Sequence, residues 1–447
     1  MAQAKSFFRD HQGGFAIAAV GLCVSLIYLL QTPFEVRNSD ALTHLQYVRY
    51  LVDQRALPDA SLCTECHHPP AYYLLEAVGW KLLDIFGCAS TRGLQLISLG
   101  QWVFFLFFSV LTLKRLTQRR SEFLVLTALV VFWPYSIIQS ARLNNDTLVD
   151  VSAAATVYFL LRWWDAPRAR WLLAASAATA LGLATKSSAL ILVGAVALTI
   201  VTRLFRGPHR GTLVLSAAPA LVVLALTGGT WLGVRHQQGQ EMTGTVLGNA
   251  NKALKHRPAS YYLRFDPQEM LHTPYAEITL LGTSEHSYWN QMLKSSQYGT
   301  MTQGKLPPGL EHPRRELVHL ENGMVMGLFA LLFLGVAASG FRRLHIGPTD
   351  HRGYRYFCVA LVLTFVTSAM TFQLLAPRDY HVDFRFILPV VIPMSALYIW
   401  ALRTHVMRYI AYVAAALYIT VSAVSLCDLR PDPKVGHALP MILPFRH

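Results

Sequence analysis

Apolar and polar positions along this chain fall in long blocks, not at the two-residue period of a strand. Apolar runs cover roughly residues 13–30, 69–86, 93–113, 122–139, 146–164, 170–185, 188–204, 212–232, 322–340, 355–374, 384–402 and 408–425. Runs of about 17–25 apolar residues are long enough for a helix to cross the hydrocarbon core of a bilayer. The pattern predicts an all-α, polytopic transmembrane protein. The first run follows a short basic tail containing Lys5 and Arg9, and no small-x-small cleavage site closes it. It is expected to be a retained span, not a removed signal.

The short loops between runs carry the basic residues. They include Lys114, Arg115, Arg119 and Arg120, then Arg162, Arg168 and Arg170, then Arg203, Arg206 and Arg210. Arg342, Arg343, Arg352 and Arg355 follow, and then Arg403 and Arg408. Such loops belong on the cytoplasmic side. If every run spans, these clusters fall outside; if 69–86 does not span, they all fall inside. The 69–86 segment opens on Pro69-Pro70 and carries Glu76, Lys81 and Asp84. Each charge costs about 2.5–3.5 kcal/mol at a helix centre. It is therefore expected to lie in the outer interface as an amphipathic helix. Removing it from the twelve runs leaves eleven spans, with the N-terminus inside and the C-terminus outside.

Three external regions follow. The first, 31–92, is expected to hold a helix near 40–54 and the interfacial helix near 70–86. The second is a large polar loop over 233–321, rich in His and Tyr. The third is the tail from Cys427 to His447. The expected units are a catalytic transmembrane module over 1–232, an acceptor-side loop over 233–321, and C-terminal helices with the tail over 322–447.

Composition supports the class. Of 447 residues, 53% are hydrophobic and 14% charged, against about a quarter charged in average soluble domains. The net charge of +14 would suit a polyanion, but its placement in short loops reads as topology, so no nucleic-acid partner is expected. Cys63 and Cys66 form Cys-Thr-Glu-Cys in the first external region. A local disulfide is the first reading in an oxidising exterior. A zinc site with a histidine and a pair of free thiols are the alternatives.

Polar residues at the outer ends of the spans form one set. Asp40 and His44 follow the first span, and their spacing puts them on one helix face. His67, His68 and Tyr72 precede the interfacial helix. Arg142, Asn144, Asn145 and Asp146 lie in a short outer turn, Lys186 in another, and Arg378, Asp379, His381, Asp383 and Arg385 in a third. Cations at an outer interface suit a lipid-linked phosphate. A carboxylate beside them suits deprotonation of a hydroxyl. Bland readings stand next to these: Asp40 and Asp146 could cap helices, and Lys186 could snorkel. Glu65 reads as a loop residue.

Several stretches resemble the GT-C glycosyltransferases, in the branch of protein O-mannosyltransferases and lipid A aminoarabinose transferases. They are Asp40-x-x-x-His44, His68-Pro69-Pro70-x-Tyr72-Tyr73, a lone Arg92 before the next span, Ala141-Arg142-x-Asn144-x-Asp146, Ala184-Thr185-Lys186-Ser187 and Phe384-Arg385-Phe386-x-Leu388-Pro389. The resemblance covers roughly residues 1–205 and 383–389. It implies that Asp40 is the catalytic base and that Asp146 is the second external acid. It further implies that His44 and His68 line the substrate site, with Lys186 and Arg385 at the donor phosphate; His67, Tyr72, Asn145 and Arg378 join the substrate-site candidates by their position, Arg378 as the rival of Arg385. Many relatives have Asp-Glu where this chain has Asp40-Ala41, so Asp40 acts alone or with Asp146.

The expected function is transfer of a sugar from a polyprenyl-phosphate donor to a hydroxyl or amine of an envelope lipid, glycan or protein. It would occur at the external face of a bacterial inner membrane, with inversion at the anomeric carbon. No cofactor is expected; a divalent ion held by Asp40 and Asp146 stays open. The rival is a transporter or lipid flippase, whose polar residues would gather near the bilayer midplane.

Overall fold

The structure, a computed structural model, describes residues 2–32, 34, 38, 40–206, 222–230, 233–234, 257–273, 275–278, 286–302, 315–340, 349–375, 377, 381–401 and 405–427. Arg378, the early part of the 212–232 run, much of the large loop and the tail after Cys427 lie outside the described residues.

The protein is a polytopic helical membrane protein. Its first half runs α1 (Ala2–Gln31), α2 (Ala41–Gln54), α3 (Ala71–Ile85), α4 (Thr91–Leu116), α5 (Arg120–Val131), α6 (Pro134–Ser140), α7 (Asp146–Asp165), α8 (Ala169–Leu183) and α9 (Leu190–Arg206). The loop region holds α10 (Ala259–Leu263), α11 (Pro267–His272), β1 (Ala276–Ile278), α12 (Tyr288–Tyr298) and β2 (Thr300–Thr302). Then come α13 (Arg315–Gly340), α14 (Thr349–Leu375), a 3₁₀ segment (Phe384–Val390), α15 (Val391–Ala401) and α16 (His405–Cys427).

Among the described residues five helices are long and apolar enough to cross a membrane: Asp10–Gln31, Thr91–Leu116, Glu316–Leu334, Tyr354–Leu375 and Val406–Leu426. Large apolar side chains such as Leu30, Phe104, Phe333, Leu363 and Leu417 face outward from them, as lipid-facing surfaces require. Inward faces mix large apolar side chains such as Trp102, Phe105 and Trp163 with small and polar ones. Between α7 and α8 the hydroxyls of Thr156 and Thr179 lie 3.1 Å apart, and Gly182 faces Ser152 and Ala189. Small residues of this kind let helix backbones approach where no hydrophobic effect drives them together.

The expected single run over 122–139 is two helices. α5 and α6 meet at an angle of 55°. Pro134 occupies the first turn of α6 and Trp133 is non-helical. A proline has no N–H to donate and pushes the residue before it out of the α region. The run over 384–402 also changes character, starting as a 3₁₀ segment that contains Pro389. The all-α class holds, with one short addition: β1 and β2 form a parallel pair, Ala276 opposite Thr300 and Ile278 opposite Thr302. The large loop thus spends part of its polar backbone on strand pairing.

α3 has 15 residues, short of a span. Leu74, Val78, Leu82, Ile85 and Phe86 are exposed on it, while Glu76 is buried and accepts a 2.7 Å hydrogen bond from Gln101 Nε2 of α4. Arg92, part of the motif series above, has a structural task. Its guanidinium donates to the carbonyls of Leu29 and Thr32 and to Gln95 Oε1. It satisfies carbonyls that the end of α1 leaves without helical partners.

Candidate active site

Four separate parts of the chain bring the site together. The α1–α2 connection supplies Asp40. The start of α7 supplies Asp146. The tight α8–α9 turn supplies Lys186, and the 3₁₀ segment supplies Arg385. Asp40 is the N-cap residue of α2, but its side chain makes no capping bond. Arg385 Nη1 instead donates to Asp40 Oδ2 at 2.8 Å. The helix-capping reading of Asp40 therefore does not describe its carboxylate.

Arg385 is shared among carboxylates. Its Nε lies 3.9 Å from Asp146 Oδ2 and 3.8 Å from Asp383 Oδ2. Asp383 caps the 3₁₀ segment by accepting from the Arg385 backbone N–H at 3.0 Å, and it accepts from Thr300 Oγ1 at 2.9 Å. Thr300 opens β2, so the strand pair and the site share a support. Lys186 Nζ donates to Asp146 Oδ1 at 2.6 Å. Phe386 lies beneath both cations, 5.2 Å from Lys186 Nζ and 4.9 Å from the Arg385 guanidinium carbon.

The two acids differ in access. The Asp40 side chain is 32% exposed and that of Asp146 only 3%. Burial opposes ionisation of Asp40, but the Arg385 and Arg142 guanidiniums outweigh it, and its carboxyl is held well below the usual carboxylate range. A carboxylate held so low is a weak base while Arg385 stays on it.

A second layer lies behind Asp40. His44 Nδ1 and the Tyr73 hydroxyl are 2.9 Å apart. Asn145 Nδ2 donates to the same hydroxyl at 3.3 Å, leaving the Tyr73 proton for the His44 lone pair. That arrangement suits neutral imidazole. Burial lowers the His44 pKa to about 4, against the pull of the Glu65 and Asp40 carboxylates. Tyr72 is buried, its ring edge-on to His44 at 6.3 Å. His68 Nε2 sits 2.9 Å from Glu65 Oε2. Burial favours neutral Glu65, but the His68 hydrogen bond and nearby positive charge win, and its pKa falls to about 2.

Cys63 and Cys66 form a disulfide, the first of the readings drawn from their spacing. It closes the turn that carries Glu65 and leads into His67 and His68. His67 turns away from the acids, with Nδ1 2.7 Å from the Thr64 carbonyl oxygen.

The structure thus brings together Asp40, His44, His68, Tyr72, Asn145, Asp146, Lys186 and Arg385. His67 stands at the edge, and Arg378 lies outside the described residues. Sequence reasoning finds no sign of Tyr135, reads Glu65 as a loop residue, and offers Tyr73 and Asp383 without a role for either. For Glu65 one signal existed, its three-residue spacing from His68.

Residues 67–230 match the family model described as dolichyl-phosphate-mannose-protein mannosyltransferase. The matched segment is less than half of the chain, and over it the chain is similar to GT-C glycosyltransferases. It contains His68, Tyr72, Asn145, Asp146 and Lys186; Asp40, His44 and Arg385 lie outside it. Among solved structures, the chain is similar to ArnT from Cupriavidus metallidurans in the apo state, at 14% identity and a TM-score of 0.41, covering 92% of this chain and 77% of that one. The same protein bound to undecaprenyl phosphate gives 13% identity and a TM-score of 0.42, with the same coverage. Likeness at that level carries no residue-by-residue assignment. No curated protein sequence matches the chain.

The His44 environment predicts a pH effect on stability. Its folded pKa, about 4, is below the ordinary value of 6.5. The unfolded chain therefore binds more protons between those values, and stability falls as pH drops from about 6.5 to about 4. The full shift corresponds to about 3 kcal/mol. Melting temperature measured across that range should fall in the wild type and fall less in His44→Asn. An identical pH profile for the two proteins would contradict this environment for His44.

Proposed function

We propose that the protein is a membrane glycosyltransferase that moves a sugar from a polyprenyl-phosphate donor to a hydroxyl or amine acceptor at the outer face of a bacterial inner membrane. The convergence of Asp40, Asp146, Lys186 and Arg385 from four distant parts of the chain is the observation that carries this reading. Two carboxylates and two cations at one end of the helices are what an inverting displacement on a lipid phosphate needs. A transporter would more naturally gather such groups at the midplane. The match over residues 67–230 supports the same class.

In this reading the donor phosphate competes with Asp40 for Arg385. As the guanidinium turns to the phosphate, Asp40 loses its strongest counter-charge and its basicity rises. Asp40 then takes the proton of the acceptor O–H or N–H. The acceptor atom bonds to the anomeric carbon while the bond from that carbon to the phosphate oxygen breaks. Polyprenyl phosphate departs with the electron pair, its charge met by cations of the site. A single displacement inverts the anomeric centre.

A small, open apolar groove lies between α5, α13 and α15, lined by Leu129, Trp133, Leu328, Phe329, Val391 and Tyr398 among others. Trp133 also stacks on Phe384, with ring centroids 6.1 Å apart, next to Arg385. That neighbourhood suits an isoprenoid chain entering from the lipid. The acceptor is assigned to the region over 233–321.

Both acids that could hold a divalent ion, Asp40 and Asp146, are paired with cations. Chelation with EDTA is therefore expected to leave the transfer rate unchanged; a loss restored by added Mg²⁺ or Mn²⁺ would bring a metal into the site. The reading itself is tested with radiolabelled polyprenyl-phosphate sugars, purified protein and envelope acceptors. Transfer of label to an acceptor supports it. Movement of the donor across vesicles without transfer supports a flippase.

A further inference from the structure

Arg385 Nε is buried and has no hydrogen-bond partner among the described residues. Two carboxylate oxygens stand just out of bonding reach, Asp383 Oδ2 at 3.8 Å and Asp146 Oδ2 at 3.9 Å. A charge-assisted hydrogen bond closes to about 2.7–2.9 Å where both groups can move. Each acid is therefore held back by another contact. Lys186 Nζ holds Asp146 through its other oxygen, Oδ1, at 2.6 Å. Asp383 Oδ1 accepts from the Arg385 backbone N–H at 3.0 Å, a bond within the 3₁₀ segment that does not fix Oδ2. Asp383 Oδ2 accepts from Thr300 Oγ1 at 2.9 Å.

Thr300 belongs to the large loop region, and the fold fixes it from outside the cation site. Gly299, at φ +76°, turns the chain from α12 into β2, and an added Cβ there would lie 3.0 Å from the Tyr135 ring. Glycine meets both demands without strain. Earlier in α12, Ser295 Oγ accepts from the Phe384 backbone N–H at 3.0 Å. The Tyr418 hydroxyl donates to Gln297 Oε1 at 2.7 Å, and the Tyr298 hydroxyl donates to the Glu321 carboxylate. Thus α13 and α16 hold the end of α12, and α12 sets Thr300 against Asp383. Satisfying a buried carboxylate is reason enough for a hydroxyl. The open Nε–H beside that carboxylate gives this hydroxyl a second consequence.

We infer that Thr300 is a positioning residue for the transfer: its hydroxyl holds Asp383 off the Arg385 Nε–H and so leaves the guanidinium able to pass from Asp40 to the donor. This rests on the donor reading above. Without the hydroxyl, Asp383 Oδ2 loses its donor and Arg385 Nε is the nearest cation to it. The two then close into a tight pair, and a donor phosphate must break that pair to draw Arg385 away. A single hydrogen bond thereby lets the acceptor-side loop set how readily the donor is held. Thr300 itself touches neither substrate in this scheme; it acts through Asp383.

The test uses the full-length protein in nanodiscs of neutral lipid. Binding of undecaprenyl phosphate and of undecaprenol is read by native mass spectrometry. The proteins are wild type, Thr300→Val, Thr300→Ser, Asp383→Asn and the double variant Thr300→Val with Asp383→Asn. Wild type should prefer the phosphate over the alcohol. Thr300→Val should bind the phosphate about 5- to 10-fold more weakly, the scale of one hydrogen bond to a charged group. Thr300→Ser keeps the hydroxyl and should stay within about twofold of wild type. A neutral amide cannot compete for the guanidinium, so the double variant should bind at least as tightly as wild type. That rescue separates a charge effect from a packing defect, which removing a carboxylate would not repair. Wild-type affinity in Thr300→Val, or a double variant as weak as Thr300→Val, would overturn the inference. If Thr300→Val does not fold, Asp383→Asn alone decides: binding at or above the wild-type level supports the inference, and weaker binding overturns it. A wild type with no preference for the phosphate would sink the donor reading itself, a result distinct from all of these.

Discussion

Asp40→Asn should lower the transfer rate by about 10³-fold, within the range for removing a general base, while donor binding holds or tightens. The second half of that expectation comes from the Arg385 contact at 2.8 Å. A neutral amide cannot hold the guanidinium as the carboxylate does, so Arg385 is easier to draw onto a phosphate. Steady-state rates with a radiolabelled donor, together with donor affinity measured without acceptor, separate the two effects. An unchanged rate would remove Asp40 as the base. A reduced rate accompanied by an equal loss of donor affinity would make Asp40 a binding residue instead.

Arg385→Ala should be the most destabilising single change in the site. It leaves Asp40, Asp146 and Asp383 close together with one of their two cations gone. Removing one partner from a buried charge network costs about 3–5 kcal/mol. Asp146 and Asp383 are buried more deeply than Asp40, so they carry most of that cost. The double variant Arg385→Ala with Asp383→Asn should regain part of the stability and none of the transfer activity. Thermal unfolding in detergent measures the first and the radiolabel assay the second. Additive losses in the double variant would show that the pair acts independently, contrary to the 3.8 Å contact.

Much of the site was legible because membrane proteins restrict where charge can sit. Asp40, Asp146 and Lys186 stand out against apolar surroundings, and the parity of the runs places them on one side. The pairings were not legible. Asp40 and Arg385 are 345 positions apart, so no local pattern joins them. Glu65 was passed over as a loop residue because its role depends on the disulfide turn that brings it to His68.

The fold divides in the same way. Apolar run length determined the helices, because a bilayer accepts few other structures. Length did not set α3 apart, since the 69–86 run is as long as the others; its charges Glu76, Lys81 and Asp84 did. Pro134 marked a break within a run that hydropathy alone reads as continuous, and the tertiary structure decided that the break became a 55° bend. The short β1–β2 pair joins segments more than twenty residues apart, a register that no local propensity specifies. Sequence by itself narrowed which residues could be reactive, since the cost of charge near lipid favours the ends of helices. Only the tertiary structure decided which cation each acid holds, because ion pairing depends on distances of a few ångströms between helices remote in the chain.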